Sequence, residues 1–318
     1  MTLTNAFTWE DLPTTSTKGE TTMAAMIPRI QKTVKQMLIS VMAFHGSYIV
    51  VRLVNSEQRV LTANSFYLFD VSSSPVYEVI LLSQIMAAAF YMVLFFGMWG
   101  LYATLVCIAC SQLEKLRANL LDIRQEHKTQ EQDSGAETDT EEEEIQVHTS
   151  QEVFRRMQGE LKDCVRHHQQ ILRFMKAMED TLHPVLLGLF FIATGCICLS
   201  GFSVVMNWGE VMPMSQAALI YFAMMFFLFA FCRLGEELTH QAKSVRDAVW
   251  ESNWVGAPVP FQHSLIIINI IASKKFSLTA GKFVPVSNKT MLSIFNQTIS
   301  FFMFLLKVKE ETDHTDHS

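Results

Sequence analysis

Val79–Leu113 reads VILLSQIMAAAFYMVLFFGMWGLYATLVCIACSQL, without one charged side chain. A membrane-crossing helix needs only about 20 apolar residues, because the hydrocarbon core is about 30 Å thick and a helix rises about 1.5 Å per residue. The stretch therefore overshoots a single crossing. Its far end is expected to project into water as a helix, and Gln112, Glu114 and Lys115 begin a polar face there. The whole chain fits the same class: of 318 residues half are apolar and 18% charged, where a soluble chain has about 25% charged. The formal charge of −6 comes with no basic face, which argues against a nucleic-acid partner. Cys107, Cys110, Cys164, Cys196, Cys198 and Cys232 lie in or beside apolar runs, so neither a disulfide framework nor a metal site is expected. The fold class is all-α, a polytopic membrane helix bundle.

Working outward by uncharged runs gives five predicted transmembrane helices. After a leader at 1–35, expected to be disordered, span 1 covers 36–54 and an outer loop 55–77. Span 2 with a cytoplasmic extension covers 78–125, an acidic linker 126–150, and a long helix running into span 3 covers 151–209. Span 4 is 210–232, a cytoplasmic anchor segment is 233–289, span 5 is 290–306 and an extracellular tail is 307–318. Glu210 alone separates the apolar runs of spans 3 and 4, so a tight helical hairpin is expected. Within the anchor segment, Leu265–Ala272 is apolar but only about two turns long, too short to cross.

Lys and Arg favour the cytoplasmic side of a membrane. They cluster before span 1 (Lys18, Arg29, Lys32, Lys35), between spans 2 and 3, and between spans 4 and 5, while the span 3–4 bend has none. This alternation puts the N-terminus inside and the C-terminus outside.

The segment Glu126–Ser150, with its Glu141–Glu144 run, has the composition of a solvated, disordered linker. From Val153 to Met178 apolar residues recur at spacings of three and four, which predicts an amphipathic helix needing a partner for its apolar face. His167 and His168 are adjacent, so they point about 100° apart, the wrong geometry for ligating one metal from one helix face.

No Walker loop, GxSxG or HExxH motif and no intramembrane carboxylate pair is present, so no enzyme and no cofactor is indicated. His45 is the one titratable group expected near mid-membrane, open to either a ligand contact or an inter-helix hydrogen bond. Aromatic and sulfur-bearing residues of spans 2 and 4 could line a pocket for small apolar molecules or simply face lipid and neighbouring helices. Span 5 differs: Asn296, Gln297, Thr298 and Ser300 interrupt its apolar pattern, as a helix facing water in a pore requires.

The C-terminal third resembles the insect odorant receptor family of seven-span, ligand-gated cation channels. The resemblance rests on Phe231–Leu238 (FCRLGEEL), Ala248-Val249-Trp250, Leu265–Ile268, Phe276–Phe283 (FSLTAGKF) and a closing helix ending FFMFLL at Leu306. Weaker landmarks are Phe69–Gln84 and His167–Leu172. The resemblance implies an odorant-sensing subunit of a heteromeric non-selective cation channel in the plasma membrane of olfactory neuron dendrites. Its partners would be the family's co-receptor, in a heterotetramer, a small volatile apolar odorant, and membrane lipid. The five spans would correspond to the family's third to seventh. The outer half of the bundle would hold the ligand near His45, Tyr48, Gln84, Met92 and Tyr221. Counted back from the chain end, Phe304 would close the pore as a hydrophobic ring and Lys307 would lie one turn further out. Four such lysines would repel cations, which suits a mixed assembly. The alternatives are a truncated or non-conducting membrane receptor or scaffold and, against the charge asymmetry, a G-protein-coupled receptor.

Overall fold

The computed structural model describes residues 23–55, 73–123, 142–252, 259–274 and 276–316. Helices dominate: α1 Met23–Asn55, α2 Val76–Asp122, α3 Glu142–Met206, α4 Val211–Glu251, α5 Val259–Ala272 and α6 Asn288–Asp316. Two two-residue strands, β1 Thr279–Ala280 and β2 Val284–Pro285, pair antiparallel just before α6. Four helices among the described residues are long and apolar enough to cross a membrane: Val76–Asp122, Phe154–Met206, Met214–Glu251 and Asn288–Lys309. They overlap predicted spans 2 to 5. Span 1 falls on α1, several of whose side chains, His45 and Tyr48 included, lie outside the described residues.

The chain divides into two units, Ala25–Leu105 and one formed by Val106–Ser318 with the first residues of the chain. In the smaller unit, α1 and the first part of α2 expose large apolar side chains such as Val79, Phe90 and Leu94. A helix apolar around its circumference is soluble only in lipid or against other helices. α1 and α2 approach at Gly100, where an added Cβ would come within 3.4 Å of the Val34 side chain, an ordinary van der Waals contact.

In the larger unit the core is a set of helix stripes. Along α3 the buried residues are Leu161, Cys164, His168, Ile171, Met175, Met178, Leu182, Leu186, Phe190, Ala193 and Ile197, spaced by three and four throughout. That spacing keeps one face inward for the length of the helix. At 65 residues and about 1.5 Å each, α3 is roughly 100 Å long, three times a hydrocarbon core. The part before Thr181 is dense in Arg, Lys and Glu. Val106, Cys110, Leu113, Leu116 and Leu120 of α2 form a matching buried stripe, as do Phe231, Cys232, Leu238, Val245 and Val249 of α4. The apolar faces expected to need partners have them.

The α3–α4 hairpin turns at Asn207–Glu210. Asn207 Nδ2 donates to the Ser203 carbonyl at 2.7 Å, the Glu210 N–H returns to the Asn207 carbonyl, and Gly209 takes a left-handed φ of +100° that closes the bend.

Three boundaries differ from the sequence reading, each toward more helix. α1 starts at Met23, inside the expected disordered leader, because Met23–Pro28 (MAAMIP) favours helix and Pro28 sits in its early turns, where a missing N–H is tolerated. α3 starts at Glu142, inside the acidic linker 126–150; glutamates are good helix formers and suit the positive N-terminal end of a helix. α6 runs to Asp316, through most of the tail 307–318, with no Pro or Gly to stop it. The remainder of the leader and of the linker lies outside the described residues.

Candidate functional site

Helix α6 carries the residues read as pore-lining, and its two ends are fixed to the larger unit. At its start, the Asn288 N–H donates to Glu236 Oε2 of α4 at 3.2 Å, and Thr290 Oγ1 donates to the Pro285 carbonyl at 2.6 Å. A carboxylate at a helix N-terminus satisfies an otherwise orphan donor and opposes the helix dipole. Near its other end, Lys309 Nζ donates to the Val205 carbonyl at 2.8 Å. Val205 is in the last turn of α3, where the negative end of the helix dipole favours a cation.

Between these anchors α6 presents three sectors. Successive residues turn about 100°, so Asn296, Lys307, Ser300, Phe304 and Gln297 fall within an arc of roughly 100°. All five are exposed on the single chain. Thr298 and Lys309 lie on the opposite side; Thr298 is buried, its hydroxyl donating to the Ile294 carbonyl of its own helix at 2.8 Å. Exposed Leu292, Phe295, Ile299 and Met303 make a third, wholly apolar sector. The sequence had grouped Thr298 with the polar stripe; the helix phase removes it and assigns it to packing. Ser300 Oγ donates to the Asn296 carbonyl at 3.0 Å, which leaves its lone pairs outward.

The expected ligand residues divide between the units. His45 and Tyr48 are on α1, Gln84 and Met92 on α2 within the smaller unit, and Tyr221 on α4 in the larger. Gln84 and Met92 are half-buried and about two turns apart. Tyr221 is half-buried and meets Phe222 edge to face at 5.4 Å. Trp99, also on α2, has a buried indole N–H with no acceptor among the described residues. Such a donor has already lost its water, so an oxygen-bearing ligand would gain a hydrogen bond there at little further desolvation cost.

A polar cluster sits where the extensions of α2 and α3 pack. His167 Nε2 and Gln112 Oε1 are 3.0 Å apart. Burial, followed by the nearby charge of Lys115, holds the His167 imidazole below its ordinary pKa. His168 is buried more deeply, and burial, helped by His167, lowers it to about 4, so it is neutral in the folded chain at pH 7. Among the described residues no group of three or more His, Cys, Asp or Glu is placed to hold a metal ion.

Gly235 was quoted in the FCRLGEEL landmark without a role. A Cβ there would lie 2.5 Å from the Val286 carbonyl oxygen, so only glycine lets the segment leading into α6 rest on α4.

Comparison with known proteins agrees with this architecture. The family model described as 7tm Odorant receptor matches residues 22–301, most of the chain, and the chain belongs to that family. Odorant receptor Or2 of Anopheles gambiae is 21% identical over 239 residues, covering 75% of this chain and 58% of its own length. Odorant receptor 85c of Drosophila melanogaster is 25% identical over 147 residues, covering 46% of this chain and 37% of its own. The odorant receptor coreceptor of Anopheles gambiae is 23% identical over 150 residues, covering 47% of this chain and 31% of its own. The chain thus spans from a third to somewhat over half of these relatives. The fold is shared with the insect olfactory receptor OR5 of Machilis hrabei, solved with eugenol, at a TM-score of 0.67 and 19% identity over 90% of this chain and 69% of that one.

Proposed function

We propose that the chain is the odorant-sensing subunit of a heteromeric, ligand-gated, non-selective cation channel, assembled with an odorant receptor co-receptor in the plasma membrane of olfactory neuron dendrites. The observation that carries this reading is the exposed arc of Asn296, Gln297, Ser300, Phe304 and Lys307 on α6. A helix with one packed side, one apolar side and one polar side has a use for all three only beside a water-filled path. Family membership supports the reading, and the similarity to a coreceptor supports the choice of partner. Lys307 is best accommodated where other subunits contribute neutral residues at the same level.

Opening is a population shift: a small apolar odorant favours an arrangement in which the Phe304 ends of the last helices separate. The ligand would lie against the smaller unit, on the helices that carry His45, Tyr48, Gln84 and Met92, with Trp99 as a hydrogen-bond donor. The Lys and Arg alternation orients the N-terminus and the extensions of α2–α4 inside and Ser318 outside. The test is co-expression with a coreceptor in cells carrying an epitope after Ser318. Odorant-evoked cation current together with epitope labelling on intact cells supports the proposal. Labelling only after permeabilisation overturns the topology, and absence of current with the co-receptor present overturns the channel role.

A further inference from the structure

The β1–β2 pair is docked on three helices at once. Toward α3, Thr279 Oγ1 donates to Glu179 Oε1 at 2.7 Å, Lys282 Nζ pairs with Asp180 Oδ1 at 3.2 Å, and the Gly281 N–H donates to the His183 carbonyl at 2.9 Å. These receiving groups occupy one turn of α3, immediately before Pro184. Proline has no N–H, so the Asp180 carbonyl loses its in-helix donor and α3 can bend at this turn. Toward α4, Val286 rests on Gly235. Toward α6, the chain enters the helix at Asn288, capped by Glu236.

The turn between the strands is tightly specified. Gly281 and Lys282 have φ of +65° and +66°, the left-handed pair found at the centre of a type I′ turn, and the Phe283 N–H closes that turn onto the Ala280 carbonyl at 3.4 Å. A Cβ on Gly281 would lie 2.6 Å from the Phe283 ring and 2.9 Å from Leu187 of α3. Lysine meets a steric penalty in that conformation, and the ion pair to Asp180 offsets part of it. A loop serving only as a linker needs neither the strained lysine nor three polar contacts to one helical turn.

From this geometry we infer that the strand pair 279–285 is a mechanical joint. It fixes α3 at its proline to the first turn of α6, so that a displacement of α3 is passed to α6, and Thr279 and Lys282 set how tightly the two helices are coupled. The contact stands on the structure alone; its consequence for current rests on the pore reading of α6.

The test uses the full-length chain purified in detergent, with backbone hydrogen exchange measured for the unmodified protein, Thr279→Val, Lys282→Glu, Asp180→Lys and the Lys282→Glu/Asp180→Lys exchange. The Lys282 and Asp180 side chains are about half exposed, so their reversal leaves the fold intact. Each single variant is expected to speed exchange on the order of three- to tenfold in two places at once, residues 183–187 of α3 and 286–292 of α6. The charge exchange restores both. A rise confined to 279–285, or no restoration in the exchanged pair, overturns the joint. Basal current in cells also expressing the coreceptor gives the second arm: the single variants shift it and the exchanged pair returns it. Coupled exchange without any change in current keeps the joint and overturns the pore reading of α6 instead.

Discussion

Gly235→Ala is expected to loosen the start of α6. The added methyl carbon would stand 2.5 Å from the Val286 carbonyl oxygen and 2.9 Å from Val286 Cγ1. The first obstacle is backbone and cannot rotate aside; its segment is tied by the Val286 N–H to the Leu278 carbonyl at 2.8 Å. Overpacking of this kind costs about 1–3 kcal/mol, and alanine recovers about 1 kcal/mol by helix propensity, leaving a net loss of up to about 2 kcal/mol. At roughly 2–4 °C per kcal/mol for a chain of this order of size, the melting midpoint should fall by up to roughly 8 °C. Fluorescence-detected size-exclusion after heating the detergent-solubilised protein reads that shift. Gly188→Ala is the control, because nothing lies within 4 Å of its added carbon. It should melt at or slightly above the unmodified temperature. Equal midpoints for Gly235→Ala and Gly188→Ala would refute the reasoning, since they differ only in what the methyl group meets.

Other outcomes follow from the same contacts. His168 titrates near 4 when folded against about 6.5 unfolded, so the unfolded chain binds its proton first and stability falls as pH drops from about 6.5 toward 4; thermal midpoints between pH 7.5 and 5 should show this decline, and His168→Phe should flatten it. Lys309→Met removes the cation from the last turn of α3 and should lower stability by about 1 kcal/mol, with Lys309→Arg retaining part of it, read by the same heating assay. Phe304→Ala should raise basal leak in cells co-expressing the coreceptor, and Lys307→Gln should increase cation current, because a unit charge a few ångströms from the ion path at an effective dielectric near 20 is worth a few kcal/mol.

How much of this was legible in the sequence depended on what each residue reports. The apolar stripe from Leu161 to Met178 is a local periodicity, so the extension of α3 could be read directly, as could the hairpin around Glu210 between two uncharged runs. The helical stretch at Glu142 was hidden because one composition, rich in glutamate, suits both a solvated linker and a helix start. Thr298 was misgrouped because hydropathy registers that a residue is polar, whereas its role depends on helix phase relative to a neighbour. Gly235, Lys309 and the pairing of Lys282 with Asp180 act on partners 51 to about 100 residues away, a relation no local pattern carries.

The central claim is that one face of α6 lines the ion path. Single cysteines at Ser300 and Thr298, two residues apart on opposite sides of the helix, test it most directly in channels co-assembled with the coreceptor. Application of a charged, water-soluble thiol reagent during odorant-evoked current should block Ser300→Cys channels progressively and leave Thr298→Cys channels unaffected. Equal modification of the two positions, or modification of Thr298→Cys alone, would contradict the account.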